Sequence, residues 1–394
     1  MGAPTPPTER TQAIVATFPA KENHTPGSNW SLQDVNVATT LTDGELLVEM
    51  LATGICHSDL SLTSSPRMPY PRIAGHEGAG HIKTLGPNMA NKELKVGDPV
   101  LLSFMHCGKC PYCLKGRPSQ CVAFMANLPG RPGVFSSAKG EDGEGTSGED
   151  IIGGFFGQSS FARLSVVQES CVVPAKDLVK DDQELKLFSP LGCGYQTGAG
   201  AVLNIAKPSK EASIVVAGLG GVGLAAIMAA KIVNCKEIIG LDRLPSRMQI
   251  CKDLGATHSI DTSSITDLSK TMKDAANGGR GPDFFIDTTG APAVLEAGFQ
   301  ALAPGGTMVF IGADMNPANG WAPDYRPVMS RSLKLIGCVE GDSEPAKFVP
   351  ELVKYYREGR FPIDKMTQYY KAADFKTALH DMHSGDAIKA VLEW

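Results

Sequence analysis

The fold is decided by residues 213–223, which read SIVVAGLGGVG. The first five residues have the length and β-branched composition of a buried strand, and the apolar run of residues 224–233 that follows is typical of a helix. Between them the pattern G-x-G-x-x-G makes a tight turn that lets the main chain approach a pyrophosphate at a helix N-terminus. The glycines that we expect to contact a dinucleotide are Gly218, Gly220, Gly221 and Gly223.

An acidic residue ends the next predicted strand. Asp242 follows the run EIIGL and stands 24 residues after Gly218. A carboxylate at this place accepts hydrogen bonds from the adenosine ribose and repels the 2′-phosphate of NADP. We therefore predict NAD as the cofactor, although Arg243, the next residue, could soften that repulsion.

Strands and helices alternate around this motif. Apolar runs typical of buried strands recur at residues 237–242, 284–287 and 307–312, and residues 295–302 are predicted to be helical. Such alternation is typical of a doubly wound parallel sheet with helices on both faces. We therefore expect an α/β dinucleotide-binding domain in this half of the chain.

The first half of the chain is β-rich. Residues 44–54 and 96–103 are short, partly alternating apolar runs bounded by Gly, Asp and Pro, which predicts strands. Residues 129–154 are rich in Gly, Ser and acidic residues, and we predict a surface loop in the middle of this stretch. After residue 345 the pattern returns to a helix and ends in the strand-like AIKAVLEW.

Composition excludes several classes of protein. The 394 residues are 42% hydrophobic and 20% charged, which is ordinary for a globular chain, and the length favours two domains. The formal net charge of −5 gives no basic surface for nucleic acid, and the longest apolar run is broken by glycines and a lysine. The N-terminal sequence has no pattern of an export signal, so we expect a cytoplasmic protein.

Ten cysteines are the informative part of the composition. In a long chain without an export signal, a disulfide framework is not expected. Four of them form C-x2-C-x2-C-x7-C, and four thiolates at this spacing suit a closed tetrahedral site with a structural role. They are Cys107, Cys110, Cys113 and Cys121. Both zinc and an iron–sulfur cluster are compatible with this spacing.

A second set of metal-ligating residue types is scattered along the chain. Cys56 lies in GICHSD, His76 in GHEGAG and Cys193 in GCGYQTG. Two thiolates and one imidazole would leave the fourth zinc position open for water or substrate, as a catalytic site requires. No local spacing proves that these three residues meet.

Over nearly its full length the chain resembles the zinc-containing medium-chain alcohol dehydrogenases. The matching pieces are GICHSD, GHEGAG, the four-cysteine segment, GCGYQTG, GLGGVG with Asp242, and the closing IKAVLEW. Residues 155–161 (FFGQSSF) and 338–343 (CVEGDS) resemble the aryl (benzyl) alcohol dehydrogenase branch. The resemblance implies an α/β protein with two domains. A GroES-like, β-rich catalytic domain would comprise residues 1–194 and 340–394, and a Rossmann doubly wound domain residues 195–339.

The resemblance also implies two Zn²⁺ ions per chain, a structural one in the four-cysteine segment and a catalytic one held by three ligands. Those ligands are Cys56, His76 and Cys193. Catalytic roles are implied for three residues beside them. Ser58 would take the alcohol proton, Asp59 would orient the histidine ligand, and Glu77 would assist ligand exchange.

Further roles follow by the same resemblance. Thr197 would pack on the nicotinamide ring and Arg247 would reach the adenosine ribose, while His57 and Lys389 stand where relatives often have arginines that face the pyrophosphate. Ser61 stands where many relatives have a histidine that ends a proton relay. A serine does not titrate near neutral pH, so the proton is expected to leave by another route.

A pocket lined by Phe155 and Phe156, with the small Ser103 where some relatives have a phenylalanine, suits a flat ring. We therefore predict an oxidoreductase that interconverts an aromatic or allylic primary alcohol and its aldehyde with NAD. The alternatives are a relative acting on another alcohol class, such as a formaldehyde–thiol adduct, and a non-catalytic NADH- or redox-sensing protein. We expect a homodimer, with a tetramer as the alternative, and no nucleic-acid or membrane partner.

Overall fold

The computed structural model describes residues 7–19, 27–138, 148–313 and 320–394. The chain forms two compact units, which are described separately. The first unit comprises Met1–Cys193, Glu344–Val353 and Met366–Trp394, and the second comprises Gly194–Ser343 and Lys354–Lys365. The division predicted from the sequence placed all of residues 340–394 in the first domain. In the structure residues 340–343 and 354–365 belong to the second unit, where Arg360 donates a hydrogen bond of 2.9 Å to the carbonyl of Ile232.

The strands are numbered in chain order. Those of the first unit before the glycine motif are β1 (Thr8–Ala16), β2 (Trp30–Ala38), β3 (Glu45–Gly54), β4 (Arg72–Ile73), β5 (Gly78–Leu85), β6 (Pro99–Leu102), β7 (Arg131–Ser137), β8 (Asp150–Gly153), β9 (Leu164–Gln168) and β10 (Val172–Pro174). Those of the second unit are β11 (Ser213–Ala217), β12 (Glu237–Asp242), β13 (His258–Asp261), β14 (Phe284–Asp287), β15 (Thr307–Phe310) and β16 (Lys334–Gly337). The chain ends with β17 (Thr367–Lys371) and β18 (Lys389–Glu393) in the first unit.

The helices connect these strands and are also numbered in chain order. They are α1 (His57–Thr63), α2 (Pro111–Leu114), α3 (Phe124–Asn127), α4 (Asp182–Phe188), α5 (Gly194–Gly200), α6 (Gly221–Ile232), α7 (Ser246–Leu254), α8 (Leu268–Ala275), α9 (Pro292–Ala301), α10 (Tyr325–Ser330), α11 (Pro345–Arg357) and α12 (Phe375–Ser384). No helix within the described residues is long and apolar enough to cross a membrane.

The first unit is built from a small β-barrel and a larger β-sheet. Strands β1, β2, β7, β8 and β4 close into a barrel, and a seven-stranded sheet runs in the order β10-β6-β5-β3-β18-β17, with β9 also paired to β3. The long strand β3 pairs with β5 on one edge and β9 on the other, and its side chains are largely buried because both faces pack into hydrophobic clusters. This sheet positions the end of β3, which Cys56 follows, the start of β5, which His76 precedes, and the end of β6, against which the turn before Cys193 packs.

The second unit contains a six-stranded sheet in the order β13-β12-β11-β14-β15-β16, and every neighbouring pair is parallel. This order is the 3-2-1-4-5-6 arrangement of the Rossmann fold. Strand β11 is buried along its whole length, as expected for a central strand covered on both faces. The predicted doubly wound α/β fold is confirmed.

The glycine motif joins β11 to α6. Gly218 has a φ of +86°, a conformation that L side chains rarely adopt. A Cβ atom at Gly223 would lie 1.8 Å from the carbonyl oxygen of Gly218, so only glycine allows helix and turn to approach this closely. The helix therefore begins at Gly221, three residues before the predicted start.

Residues 129–154 form a strand at each end. Strand β7 pairs with β2 and β8 pairs with β4, so both ends of the stretch belong to the barrel, and the predicted surface loop concerns only its middle. Pairing with these partners overrides the local preference of glycine and serine for turns. The middle of the stretch, residues 139–147, lies outside the described residues.

Candidate active site and metal centres

Three scattered residues of the first unit come together. Cys56 precedes α1, His76 lies in the loop between β4 and β5, and Cys193 follows a short 3-10 turn at Ser189–Gly192. One ligand atom from each residue lies within 4.8 Å of the other two, and the two Sγ atoms are 4.0 Å apart. Two thiolates on one tetrahedral zinc ion are separated by about 3.8 Å, so the spacing suits that metal.

Asp59 links two of these three residues. Its Oδ1 atom lies 2.8 Å from His76 Nδ1 and also accepts a hydrogen bond of 3.0 Å from the main-chain N–H of Gly75. Its Oδ2 atom accepts a 2.9 Å bond from the N–H of Cys56, which caps the first turn of α1. The fully buried carboxylate therefore fixes the imidazole and the start of the helix together.

The second imidazole nitrogen of His76, Nε2, faces the two thiols and is the candidate metal-binding atom. His76 Nε2 is buried and has no hydrogen-bond partner among the described residues. A buried polar atom without a partner is costly, and a metal ion on the side of the two thiols would satisfy it. A hydrogen bond from Cys193 and the charge of His76 lower the pKa of the Cys56 thiol well below its usual value, although burial opposes them. The donor set thus fits zinc.

Glu77 and Lys389 form a buried ion pair next to the cluster. Lys389 Nζ lies 2.5 Å from Glu77 Oε2 and donates a 3.0 Å hydrogen bond to the carbonyl of Ile55. Burial raises the pKa of Glu77 to about 7, although Lys389 opposes this shift. Lys389 is therefore held by groups of the first unit.

Two aromatic rings pack on the histidine. The ring of Phe156 stacks on His76 with centroids 4.2 Å apart and an interplanar angle of 17°. Phe155 meets the same imidazole edge-on at 5.7 Å. The guanidinium of Arg72, which is fully buried, lies 4.8 Å from the centroid of the Phe155 ring and donates to the carbonyl of Pro129. Both rings thus form part of the wall around the candidate metal ligand.

Sequence reasoning missed Gln158. This residue is fully buried, and its amide contacts the main chain of His76, Gly78 and Ser103. The only signal was a lone amide side chain among the small and aromatic residues of FFGQSSF. Arg72 was missed as well, because a single arginine in a short apolar run gives no hint of its burial.

The four cysteines of the predicted structural site also converge. Their Sγ atoms lie within 4.8 Å of one another, with 3.9 Å between Cys107 and Cys113 and 3.5 Å between Cys110 and Cys113. Main-chain N–H groups point at two sulfurs, since Cys107 N donates to Cys121 Sγ and Cys110 N to Cys107 Sγ. Four sulfurs in this arrangement fit a closed tetrahedral metal site.

The remaining predicted residues lie as follows. Ser58, half-buried, and His57, exposed, are in the first turn of α1. In the second unit, Asp242 ends β12 and accepts hydrogen bonds from the N–H groups of Leu219 (2.7 Å) and Leu244 (2.9 Å). Two further residues predicted to bind the coenzyme are buried in this unit: Thr197 in helix α5 and Arg247 in helix α7.

A three-ligand cluster, a four-cysteine cluster and a Rossmann unit define a zinc-containing dehydrogenase. A family profile described as "Alcohol dehydrogenase GroES-like domain" matches residues 42–180, and one described as "Zinc-binding dehydrogenase" matches residues 221–354. The geraniol dehydrogenase of Castellaniella defragrans is 35% identical over 369 residues, which cover 93% of this chain and 95% of that protein. The chain therefore belongs to the zinc-containing medium-chain alcohol dehydrogenase family.

Two further relatives extend the comparison. The crystal structure of benzyl alcohol dehydrogenase from Acinetobacter calcoaceticus matches with a TM-score of 0.84 and 33% identity, covering 98% of this chain and 99% of that chain. The S-(hydroxymethyl)glutathione dehydrogenase of Paracoccus denitrificans is 31% identical over 366 residues, which cover 89% of this chain and 92% of that protein. The predicted family and the predicted enzyme class are confirmed.

Proposed function

We propose that the chain oxidises aromatic or allylic primary alcohols to aldehydes, with NAD as the hydride acceptor, and that it also runs the reverse reaction. The observation that carries the proposal is the convergence of Cys56, His76 and Cys193 with the Phe156 ring stacked on the imidazole. Two relatives support the substrate class by their names, because geraniol is an allylic alcohol and benzyl alcohol an aromatic one.

Two zinc ions per chain are part of the proposal. The three-residue cluster would hold the catalytic ion with one position open, and the four-cysteine cluster would hold a structural ion. When bound, the catalytic ion supplies Lewis-acid chemistry that lowers the pKa of the alcohol hydroxyl and polarises the aldehyde carbonyl.

The residues around the cluster orient its ligands and move the proton. Asp59 accepts from His76 Nδ1, which leaves Nε2 as the metal-binding nitrogen. Ser58 Oγ would accept the alcohol proton, and Glu77 would assist ligand exchange beside His76. Because Ser61 has no titratable group, the proton is proposed to leave through solvent rather than through residue 61.

The predicted substrate pocket needs correction, because Phe155, Phe156 and Ser103 are all buried in the interior of the first unit. Support for a flat substrate therefore comes from the names of the relatives. Phe155 and Phe156 stand at 70° to each other with centroids 4.7 Å apart, and both contact the ring of His76. Aromatic pairs of this kind contribute about 0.5–1.5 kcal/mol beyond simple burial of area. The predicted roles of His57 and Lys389 toward the pyrophosphate, the homo-oligomer and the cytoplasmic location stay predictions.

A substrate panel tests the proposed alcohol class. We expect kcat/KM for benzyl alcohol to exceed that for ethanol by about 100-fold, since burying a ring contributes up to about 3 kcal/mol. Cyclohexylmethanol, which has the same number of carbon atoms and a saturated ring, is the matched control and should be about 2- to 10-fold poorer than benzyl alcohol. Initial rates of NADH formation give the ratios. A preference for ethanol would refute the class, and a preference for S-(hydroxymethyl)glutathione would favour the thiol-adduct alternative.

Replacing Asp242 with asparagine tests the proposed cofactor. The substitution removes the negative charge that would repel a 2′-phosphate and weakens the acceptor for the ribose. We expect the ratio of kcat/KM with NAD to kcat/KM with NADP to fall by at least about 10-fold, because charged hydrogen bonds contribute about 1.5–3 kcal/mol. Asp261→Asn is the matched control, since Asp261 ends the neighbouring parallel strand opposite Asp242. An unchanged ratio in Asp242→Asn would argue against this role.

A further inference from the structure

The amide of Gln158 joins three main-chain segments. Its Oε1 atom accepts a hydrogen bond of 3.1 Å from the N–H of Gly78. Its Nε2 atom donates to the carbonyl of His76 at 2.8 Å and to the carbonyl of Ser103 at 2.6 Å. Because both amide protons are used, a rotated amide would place its oxygen against two carbonyl oxygens. The orientation of this side chain is therefore fixed by its partners.

Ser103 continues the connection to another ligand. Its hydroxyl donates a 2.6 Å hydrogen bond to the carbonyl of Gly192, the residue before Cys193, and the side chain is buried. A Cβ atom at Gly192 would lie 1.8 Å from the carbonyl oxygen of Leu102, so the end of β6 packs directly against the turn that carries Cys193. An unbroken path of hydrogen bonds thus runs from the main chain of His76 to that of Gly192.

We propose that Gln158 and Ser103 are positioning residues that set the distance between His76 and Cys193 for the catalytic metal ion. Asp59 couples Cys56 to the imidazole of His76, and the thiol of Cys56 in turn lies 4.0 Å from that of Cys193. The Gln158–Ser103 pair adds a connection between the main-chain segments that carry His76 and Cys193. This inference rests on the proposed catalytic zinc site.

Physical considerations give the size of the effect. Zinc requires its ligands within a few tenths of an ångström of tetrahedral positions, so ligand segments that drift apart release the ion sooner. Loss of a group that supports a metal ligand typically reduces metal affinity by about 10- to 100-fold. Removing the Ser103 hydroxyl should have an effect in the lower part of that range, because Gln158 would still hold His76.

Zinc release from the purified holoenzyme tests the proposal. The variants are Ser103→Ala and Gln158→Met, and the matched control is Ser160→Ala. Ser160 is a fully buried serine whose hydroxyl lies 2.7 Å from that of Thr53. A chromogenic chelator reports the release rate of each ion, and the phase that Cys193→Ala lacks belongs to the catalytic site. Cobalt substitution adds a visible spectrum that responds to the ligand geometry.

We expect Ser103→Ala and Gln158→Met to release the catalytic ion about 10-fold faster and to shift the cobalt spectrum, while release of the other ion stays within about 2-fold. Ser160→Ala should release both ions at wild-type rates, even if its melting temperature falls as far as those of Ser103→Ala and Gln158→Met. Wild-type release from the catalytic site in both variants, or equal acceleration at both sites, would overturn the inference. If Cys193→Ala retains as much zinc as the wild type, the proposed metal site fails, and this inference with it.

Discussion

Cys193→Ala is expected to remove one zinc ion per chain and to lower kcat/KM for benzyl alcohol by about 10⁴-fold, while the protein stays folded. The thiol of Cys193 lies 4.0 Å from that of Cys56 and belongs to the three-residue cluster, which loses a charged ligand in this variant. Lewis-acid stabilisation of the reacting oxygen contributes several kcal/mol, and a loss of about 5 kcal/mol corresponds to about 10⁴-fold in rate.

Cys235→Ala is the matched control for this variant. Cys235→Ala is the same substitution of a buried cysteine, in the second unit. The side chain of Cys235 belongs to neither of the two clusters of metal-ligating residues found among the described residues. Elemental analysis should give one zinc per chain for Cys193→Ala and two for Cys235→Ala. A Cys193→Ala enzyme that keeps two zinc ions, or more than about a tenth of the wild-type kcat/KM, would contradict the assignment.

The second unit could be predicted from local sequence. Strands β11, β12 and β14 have the bounds read from the sequence, because strands buried on both faces are continuous apolar runs bounded by turn residues. The glycine turn was equally local, since Gly218 and Gly223 are required by a φ angle and by a close main-chain approach within six residues. Such features depend on neighbours in the chain.

The candidate active site depended on resemblance to a family. Cys56 and Cys193 are 137 residues apart, and their meeting requires the pairing of β3 with β5 and of β5 with β6. No periodicity in the sequence encodes that register. Gln158 escaped notice for the same reason, because its three partners come from segments about 55 to 80 residues away. Strands β7 and β8, at the two ends of residues 129–154, likewise pair with the distant strands β2 and β4.

The two cysteine-containing clusters should differ in what they support. The segment of residues 107–117 has little apolar packing of its own, since Tyr112 is 43% exposed and Leu114 is 74% exposed. Its helix α2 is a single turn without buried residues. A segment with so few buried contacts is ordered mainly by whatever cross-links its cysteines. The catalytic ligands, by contrast, are placed by strands of the sheet, since Cys56 follows β3 and His76 precedes β5.

Cys110→Ala is therefore expected to lower the melting temperature by more than about 10 °C and to expose residues 107–121 to proteolysis. Structural zinc sites contribute about 10–16 kcal/mol of binding free energy to the folded state, and loss of even about 5 kcal/mol shifts the melting temperature by about 10–20 °C in units of this size. Cys193→Ala should stay within about 3 °C of the wild type and resist the protease. Calorimetry, limited proteolysis with mass spectrometry and elemental analysis provide the measurements.

The same samples decide between zinc and an iron–sulfur cluster in the four-cysteine site. We expect zinc without iron and no visible absorption, because a closed set of four thiolates satisfies zinc fully. If Cys110→Ala keeps its metal content and its melting temperature, Cys110 is not a ligand of a structural metal ion. If Cys110→Ala loses order but keeps activity, and Cys193→Ala loses activity but keeps order, then one metal ion supports folding and the other supports the chemistry.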